Sequence, residues 1–218
     1  MSGIFNKWFG KDDNETRPPL THPKDLQIND IIKFSFLPQS ELSATRFAVT
    51  EINTYDYEND NSTEFLLSGE NRFQIFMSVD NDGGEEYLSI SRKLTKKEVS
   101  DLFDANEISQ IFAEGHSELN RLATSTGSLT TWTSDYYSED IDCRVGFYHE
   151  GDFRNKETPI YQEDSERFEY YSLTNDSDEF AIDIEIYNEG ETEIYATIYL
   201  ELSSITELMP SNDIQNIG

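Results

Sequence analysis

The stretch Phe180–Tyr199, FAIDIEIYNEGETEIYATIY, decides how the rest of the chain is read. Apolar side chains stand at Phe180, Ile182, Ile184 and Ile186, every second position. Successive side chains of a strand point to opposite faces, so these four share one face, and Asp183 and Glu185 take the other. Asn188-Glu189-Gly190 supplies a turn, because glycine adopts positive φ without a Cβ clash. The alternation resumes at Ile194, Ala196, Ile198 and Leu200, which predicts one β-hairpin. Phe73–Ser91, FQIFMSVDNDGGEEYLSIS, carries the same pattern at a constant offset of 107 residues, Phe73, Ile75, Met77 and Val79 standing for Phe180, Ile182, Ile184 and Ile186. The turn Asn81-Asp82-Gly83 matches Asn188-Glu189-Gly190. The expected fold is therefore mainly β (α+β): two antiparallel β-rich halves, related as a structural repeat and joined by a short helical segment.

Five regions follow from this. Residues 1–22 are an aromatic N-terminal segment, MSGIFNKWFGK, and a polar linker with Pro18-Pro19. Ile4, Phe5, Trp8 and Phe9 would share one face of a short helix. Residues 23–94 form the first β-rich half, with strands expected near Leu26–Phe36, at Arg46–Tyr57, at Thr63–Ser68 and in the Phe73–Ser91 hairpin. In Arg46–Tyr57, strict alternation puts Phe47, Val49, Glu51 and Asn53 on one face. Residues 95–127 change period. Thr95-Lys96-Lys97-Glu98 is a capping box, Val99, Leu102 and Phe103 follow at helical spacing, and His116–Ala123 is expected to extend the helical region. Residues 128–210 form the second half, with strand candidates at Asp142–Tyr148, Thr158–Tyr161, Arg167–Thr174 and the 180–200 hairpin. Ser203–Leu208 is expected as a short helical turn before Pro210. Residues 211–218 are a loose polar tail.

The 218 residues carry 16 basic and 44 acidic side chains, a formal net charge of −28. Phosphate contacts need Lys and Arg, so direct nucleic-acid binding is not expected. The acids read first as a solubilising surface. Sharper readings are a basic protein partner, a polycation such as a polyamine, or mimicry of nucleic acid. Aromatics make up 13% of the chain, against the disordered-tail reading. The single cysteine, Cys143, excludes an internal disulfide and reads as buried and inert. No apolar run approaches a membrane span, and a cytoplasmic location is expected.

A search for chemistry finds no catalytic residues, cofactor or metal set. Gly115-His116-Ser117-Glu118-Leu119 lacks the final glycine of a nucleophile elbow. Asp56, Glu58 and Asp60 open like a Ca²⁺ loop, but Asn61 stands where glycine is needed and Leu67 where the bidentate Glu is needed, leaving a solvated hairpin turn. Two acidic-aromatic patches remain, Trp132–Asp142 and Tyr161–Tyr171. With the N-terminal segment they supply the candidate partner-binding residues Phe5, Trp8, Phe9, Trp132, Tyr136, Tyr137, Tyr161, Tyr170 and Tyr171, suited to a cationic partner by stacking and ion pairing.

Trp8-Phe9-Gly10-Lys11, DLQINDIIKF, FAVTEINTYDY, FLLSGENRFQIFMSV, EEYLSIS, FEYYSL and EIYNEGETEIYATIY together resemble bacterial domain-of-unknown-function families of small cytoplasmic β-rich proteins. Such families are often encoded beside phage-shock-protein-A-like membrane-stress genes and polyamine-metabolism genes. The resemblance covers about residues 20–208, rests on strand patterns, and transfers no functional residue. It implies an accessory role, and with no catalytic set in the sequence the expected function is a non-enzymatic accessory or interaction protein linked to membrane stress. Its partner would be a basic or membrane-associated protein, with weak peripheral membrane contact through the N-terminus. An acidic nucleic-acid mimic that inhibits a DNA-binding protein is the alternative, and a hydrolase using acidic residues is another.

Overall fold

The computed structural model describes residues 17–57, 60–69, 72–113, 117–159, 165–188 and 190–211. β2 (Arg46–Tyr57), β3 (Asp60–Ser68), β4 (Gln74–Asp82) and β5 (Glu85–Lys93) form one antiparallel meander. β7 (Tyr136–His149), β8 (Glu166–Thr174), β9 (Phe180–Tyr187) and β10 (Thr192–Glu201) form a second. β5 pairs with β10 from Tyr195–Lys93 to Glu201–Tyr87. At the opposite edge β2 pairs with β7 through Thr54–His149, Tyr55–Tyr148 and Asp56–Phe147. These two joins close the eight strands into one antiparallel barrel, which leaves the barrel strands no free edge.

Three further strands lie outside the closure. β2 forks: its first residues, Arg46–Ala48, pair with β1 (Ile31–Phe34), and its last with β7. β11 (Ile205–Met209) extends β1, and β6 (Glu118–Asn120) pairs with the start of β7. Two short helices, α1 (Lys96–Leu102) and α2 (Ala105–Gln110), follow β5. The capping box forms as the sequence predicts: Glu98 N–H donates to Thr95 Oγ1, and Thr95 N–H to the Glu98 carboxylate.

The polar faces of all eight barrel strands line one internal cavity, so the alternating apolar faces point away from it. Leu67, Ile75, Met77, Leu88, Ile90, Ile182, Ile184 and Ala196 are fully buried on the outside of the barrel wall. Their cover is the rest of the chain: Leu26, Phe34 and Leu42 from the N-terminal segment, Leu102, Phe103 and Ile111 around the helices, and Trp132. Phe103 meets Tyr137 at a ring separation of 6.2 Å, and Phe112 meets Tyr171 at 5.2 Å. Each such side chain contributes about 1.5–3 kcal/mol on burial. The hydrophobic core is thus a layer between barrel and cover rather than the barrel's interior.

The mainly β expectation holds, and the strands of both halves close into one barrel. Several other expectations change. Strict alternation in β2 fails at Thr50, where a bulge separates Val49–Leu67 from Glu51–Leu66. Val49 and Ile52 then share the apolar face, and Asn53, Tyr55 and Tyr57 take the other. His116–Ala123 is not a helical extension: residues 118–120 are β6, and Phe103 bridges to Arg121. Ser203–Leu208 is mostly strand, β11, after one short 3₁₀ turn. Cys143 is exposed, with φ of 57°, at a register break of β7 rather than buried in a regular strand. Of Thr158–Tyr161, residues 158 and 159 are not strand, and 160 and 161 lie outside the described residues.

Candidate functional site in the barrel interior

The largest change concerns Asp183 and Glu185. Alternation in β9 places them opposite the apolar face, as the sequence predicts, but that face is internal: they are 8% and 7% exposed. They look into a cavity of about 380 Å³, within the size range of small-molecule sites. Its walls are unusual in composition. Carboxylates come from Asp60 and Glu64 on β3, Asp80 on β4, Asp140 on β7, and Asp183 and Glu185 on β9. Rings come from Tyr55 and Tyr57 on β2, Phe76 on β4, Tyr170 on β8, and Tyr195 and Tyr199 on β10.

Two groups of acids occupy different levels. In the first, the Tyr55 hydroxyl stands near both Glu64 and Glu185 and favours the charged form of each. β2 and β9 are not neighbours in the wall, so the approach to Glu185 spans the lumen. The Tyr187 hydroxyl also donates to Glu185 Oε2 at 2.7 Å. In the second, Asp183 accepts from three hydroxyls: Tyr170 and Ser172 reach Oδ1, each at 2.7 Å, and Thr197 reaches Oδ2. Asp80, held by the Ser78 hydroxyl at 2.8 Å, feels the Asp183 charge from across the barrel.

The electrostatics follow from this placement. Burial pushes Glu64 up to about 8, and the neighbouring Glu185 adds to it. Burial also pushes Glu185 up to about 7, reinforced by Glu193 and Asp183 and opposed by the Tyr187 hydroxyl. Burial raises Asp183 against the three hydroxyls that favour its charged form, and raises Asp80 as well. Among the described residues, no Lys, Arg or His forms an ion pair with these four. The cation lining the same cavity is Arg144, whose guanidinium lies 4.0 Å from the centroid of the Tyr57 ring. A buried negative charge without a counterion is costly. Protonation offsets that cost, which is why burial raises these carboxyls.

A second opening of about 190 Å³ adjoins the first level, lined by Tyr148, Glu166, Glu191 and Glu193 as well as Glu64. At the seam Gly146 is required: a Cβ there would stand 2.6 Å from Phe168 Cζ and 2.9 Å from Tyr57 Cε1.

Of the residues expected to bind a partner, Trp132 and Tyr137 have no exposed surface and belong to the outer core. A side chain with no exposed surface offers a partner no contact. Tyr171 is 9% exposed and packs on Phe112. Tyr136 is half-buried on β7. Tyr170 faces the cavity. Phe5, Trp8, Phe9 and Tyr161 lie outside the described residues. The structure therefore brings together one expected residue, Tyr170, with acids that the sequence assigns to a solubilising surface. Among the described residues no group of His, Cys, Asp and Glu is arranged to hold a metal ion, and no helix is long and apolar enough to cross a membrane. Comparison with family models, with curated proteins and with solved structures finds no match.

Proposed function

We propose that the protein is a non-enzymatic binding protein that holds a small organic cation inside its barrel. The observation that carries this reading is the interior itself: six carboxylates facing one arginine, Arg144, set among aromatic rings in one cavity. An ammonium group gains twice there, by ion pairing with carboxylates out of bulk water and by attraction to the negative faces of the rings. An accessory role, such as sensing or buffering a cationic metabolite, follows from binding without chemistry. The antiparallel join of two four-stranded meanders supports reading them as copies of one unit, the site lying between them.

Hydrolysis is the weaker reading, although carboxylates do face one another. Acid-base catalysis by two carboxyls needs environments that drive their pKa values apart. Here burial drives Glu64 and Glu185 in the same direction. Nucleic-acid mimicry is also weaker, because these carboxylates point into the lumen, where a DNA-binding surface does not reach.

The test is ligand-induced stabilisation at pH 8, following tyrosine fluorescence and thermal unfolding. Butylammonium chloride is expected to raise Tm and perturb the fluorescence, and sodium butyrate at equal ionic strength to do neither. Equal effects of the two, or no effect of any ammonium, would overturn the proposal.

A further inference from the structure

The two levels of acid inside the barrel define the ligand more narrowly, on the reading that an organic cation binds there. Asp183 and Glu185 are two residues apart on β9 and face the same way, which separates them by about 7 Å along the strand. Each is the centre of its own group. Glu185 shares Tyr55 with Glu64. Asp183 is surrounded by the hydroxyls of Tyr170, Ser172 and Thr197, with Asp80 beyond. A carboxylate offers about four acceptor positions. The three hydroxyls leave Asp183 about one, enough for a single N–H donor.

Between the levels the wall is less polar. Tyr195 stands opposite Asp183 in the β9–β10 ladder, and its ring meets Phe76 edge-on at 5.4 Å. The rings of Tyr57 on β2 and Tyr170 on β8 stand 6.4 Å apart between centroids. Rings at this position suit methylene groups, which gain from leaving water. A compact quaternary ammonium would use one level only and leave the other without a counterion.

We infer that the ligand is a linear diammonium, one nitrogen seated at the Glu64–Glu185 level and the other at Asp183, with its methylene chain against Phe76, Tyr57 and Tyr195. The span of a four- or five-carbon chain between nitrogens fits the about 7 Å offset of the two strand positions. Two positive charges also answer the acids of both levels, where one charge answers a single level.

Isothermal titration of the full chain at pH 8 tests this with 1,2-diaminoethane, 1,4-diaminobutane, 1,5-diaminopentane, 1,8-diaminooctane and butylamine. The four- or five-carbon diamine is expected to bind at least tenfold tighter than butylamine and than either the shortest or the longest diamine. In Asp183→Asn the ratio between 1,4-diaminobutane and butylamine is expected to fall below about threefold. The chain-length series on the unaltered protein stands without that variant, should it fold poorly. Butylamine binding as tightly as the diamines, or affinity without a chain-length optimum, overturns the diammonium while leaving a monovalent cation site. Absence of binding by every amine overturns both readings.

Discussion

The Tyr170 hydroxyl donates to Asp183 Oδ1 at 2.7 Å, diagonally across the β8–β9 ladder, inside the barrel. Ser172 and Thr197 donate to the same carboxylate. Three hydroxyls from two flanking strands thus depend on one acceptor. Asp183→Ala removes it and leaves three donors to the cavity, at a cost of about 1–3 kcal/mol for each that finds no partner. A loss of about 2–4 kcal/mol in urea unfolding is expected, since cavity water replaces part of the acceptor. Asp183→Asn retains one carbonyl oxygen and should lose less. Equal losses for the two variants would refute the dependence of the hydroxyls on this acceptor.

Stability of the ligand-free protein should fall as pH rises from about 5 to 8. Glu64 and Glu185 sit at about 8 and 7 in the folded chain, against 4.5 without the fold. Across that window the folded state binds more protons than the unfolded state, so unfolding free energy decreases with pH. Each group contributes a slope of up to about 1.4 kcal/mol per pH unit between its two values. Depressed acids, such as Glu207 beside Lys33 and Arg46, act in the other window, losing their contribution only as pH falls below 4.5. Urea midpoints at pH 5, 6, 7 and 8 read the slope, and Glu64→Gln should flatten it. Stability that rose with pH over this range would contradict the buried position of the two acids.

The strands were legible because alternation is a local property: β2, β8, β9 and β10 fall within a residue or two of their expected limits. The direction of the faces was not. Alternation says which residues share a face, and hydrophobicity suggests that the apolar face is inside. Here the chain supplies an outer cover, and the apolar face of Ile182 and Ile184 packs on it while Asp183 and Glu185 line the lumen. The Thr50 bulge has no sequence mark of its own, and it alone moves Tyr55 and Tyr57 to the cavity side. A usable signal was the tyrosine spacing. Tyr187, Tyr195 and Tyr199 stand two residues from Glu185, Glu193 and Glu201, and Tyr55 and Tyr57 two from each other, a face too aromatic for an open solvated surface.

Gly146→Ala should be among the more damaging small substitutions. The added methyl would stand 2.6 Å from Phe168 and 2.9 Å from Tyr57, and the rings behind them are already packed, Tyr55 meeting Phe168 at 5.3 Å. Overpacking of this kind costs about 1–3 kcal/mol. Thermal unfolding gives the stability change, and tyrosine fluorescence reports the displaced rings. Wild-type values in both would show that the interior is looser than the ring contacts imply.

His149→Phe is expected to be neutral or stabilising by up to about 1 kcal/mol, because an unpaired buried polar group is replaced by an apolar ring. The imidazole is fully buried, neither ring nitrogen has a hydrogen-bond partner, and Asp56 Oδ2 stands 3.9 Å away. Phe153 already packs beside it at a ring separation of 5.6 Å. Denaturant unfolding of the variant measures the difference. A loss above about 1 kcal/mol would mean that the imidazole has a polar partner after all.

The barrel is closed unequally, and its dynamics should show it. β5 and β10 are joined by seven residue pairs, β2 and β7 by three. The β1 pairing lies at the other end of β2, so fewer cooperative hydrogen bonds oppose opening of the short seam. Local opening draws on the least-connected element first. Amide hydrogen exchange at Tyr55, Tyr148 and His149 should therefore be faster than at Ile198 and Ile90. A ligand seated between Tyr55, Glu64 and Glu185 ties β2 to β3 and to β9 across the lumen, so it should slow exchange at the seam more than at the β5–β10 join. Uniform protection around the barrel, or slowing by ligand confined to β5 and β10, would contradict both the weak seam and the placement of the site against it.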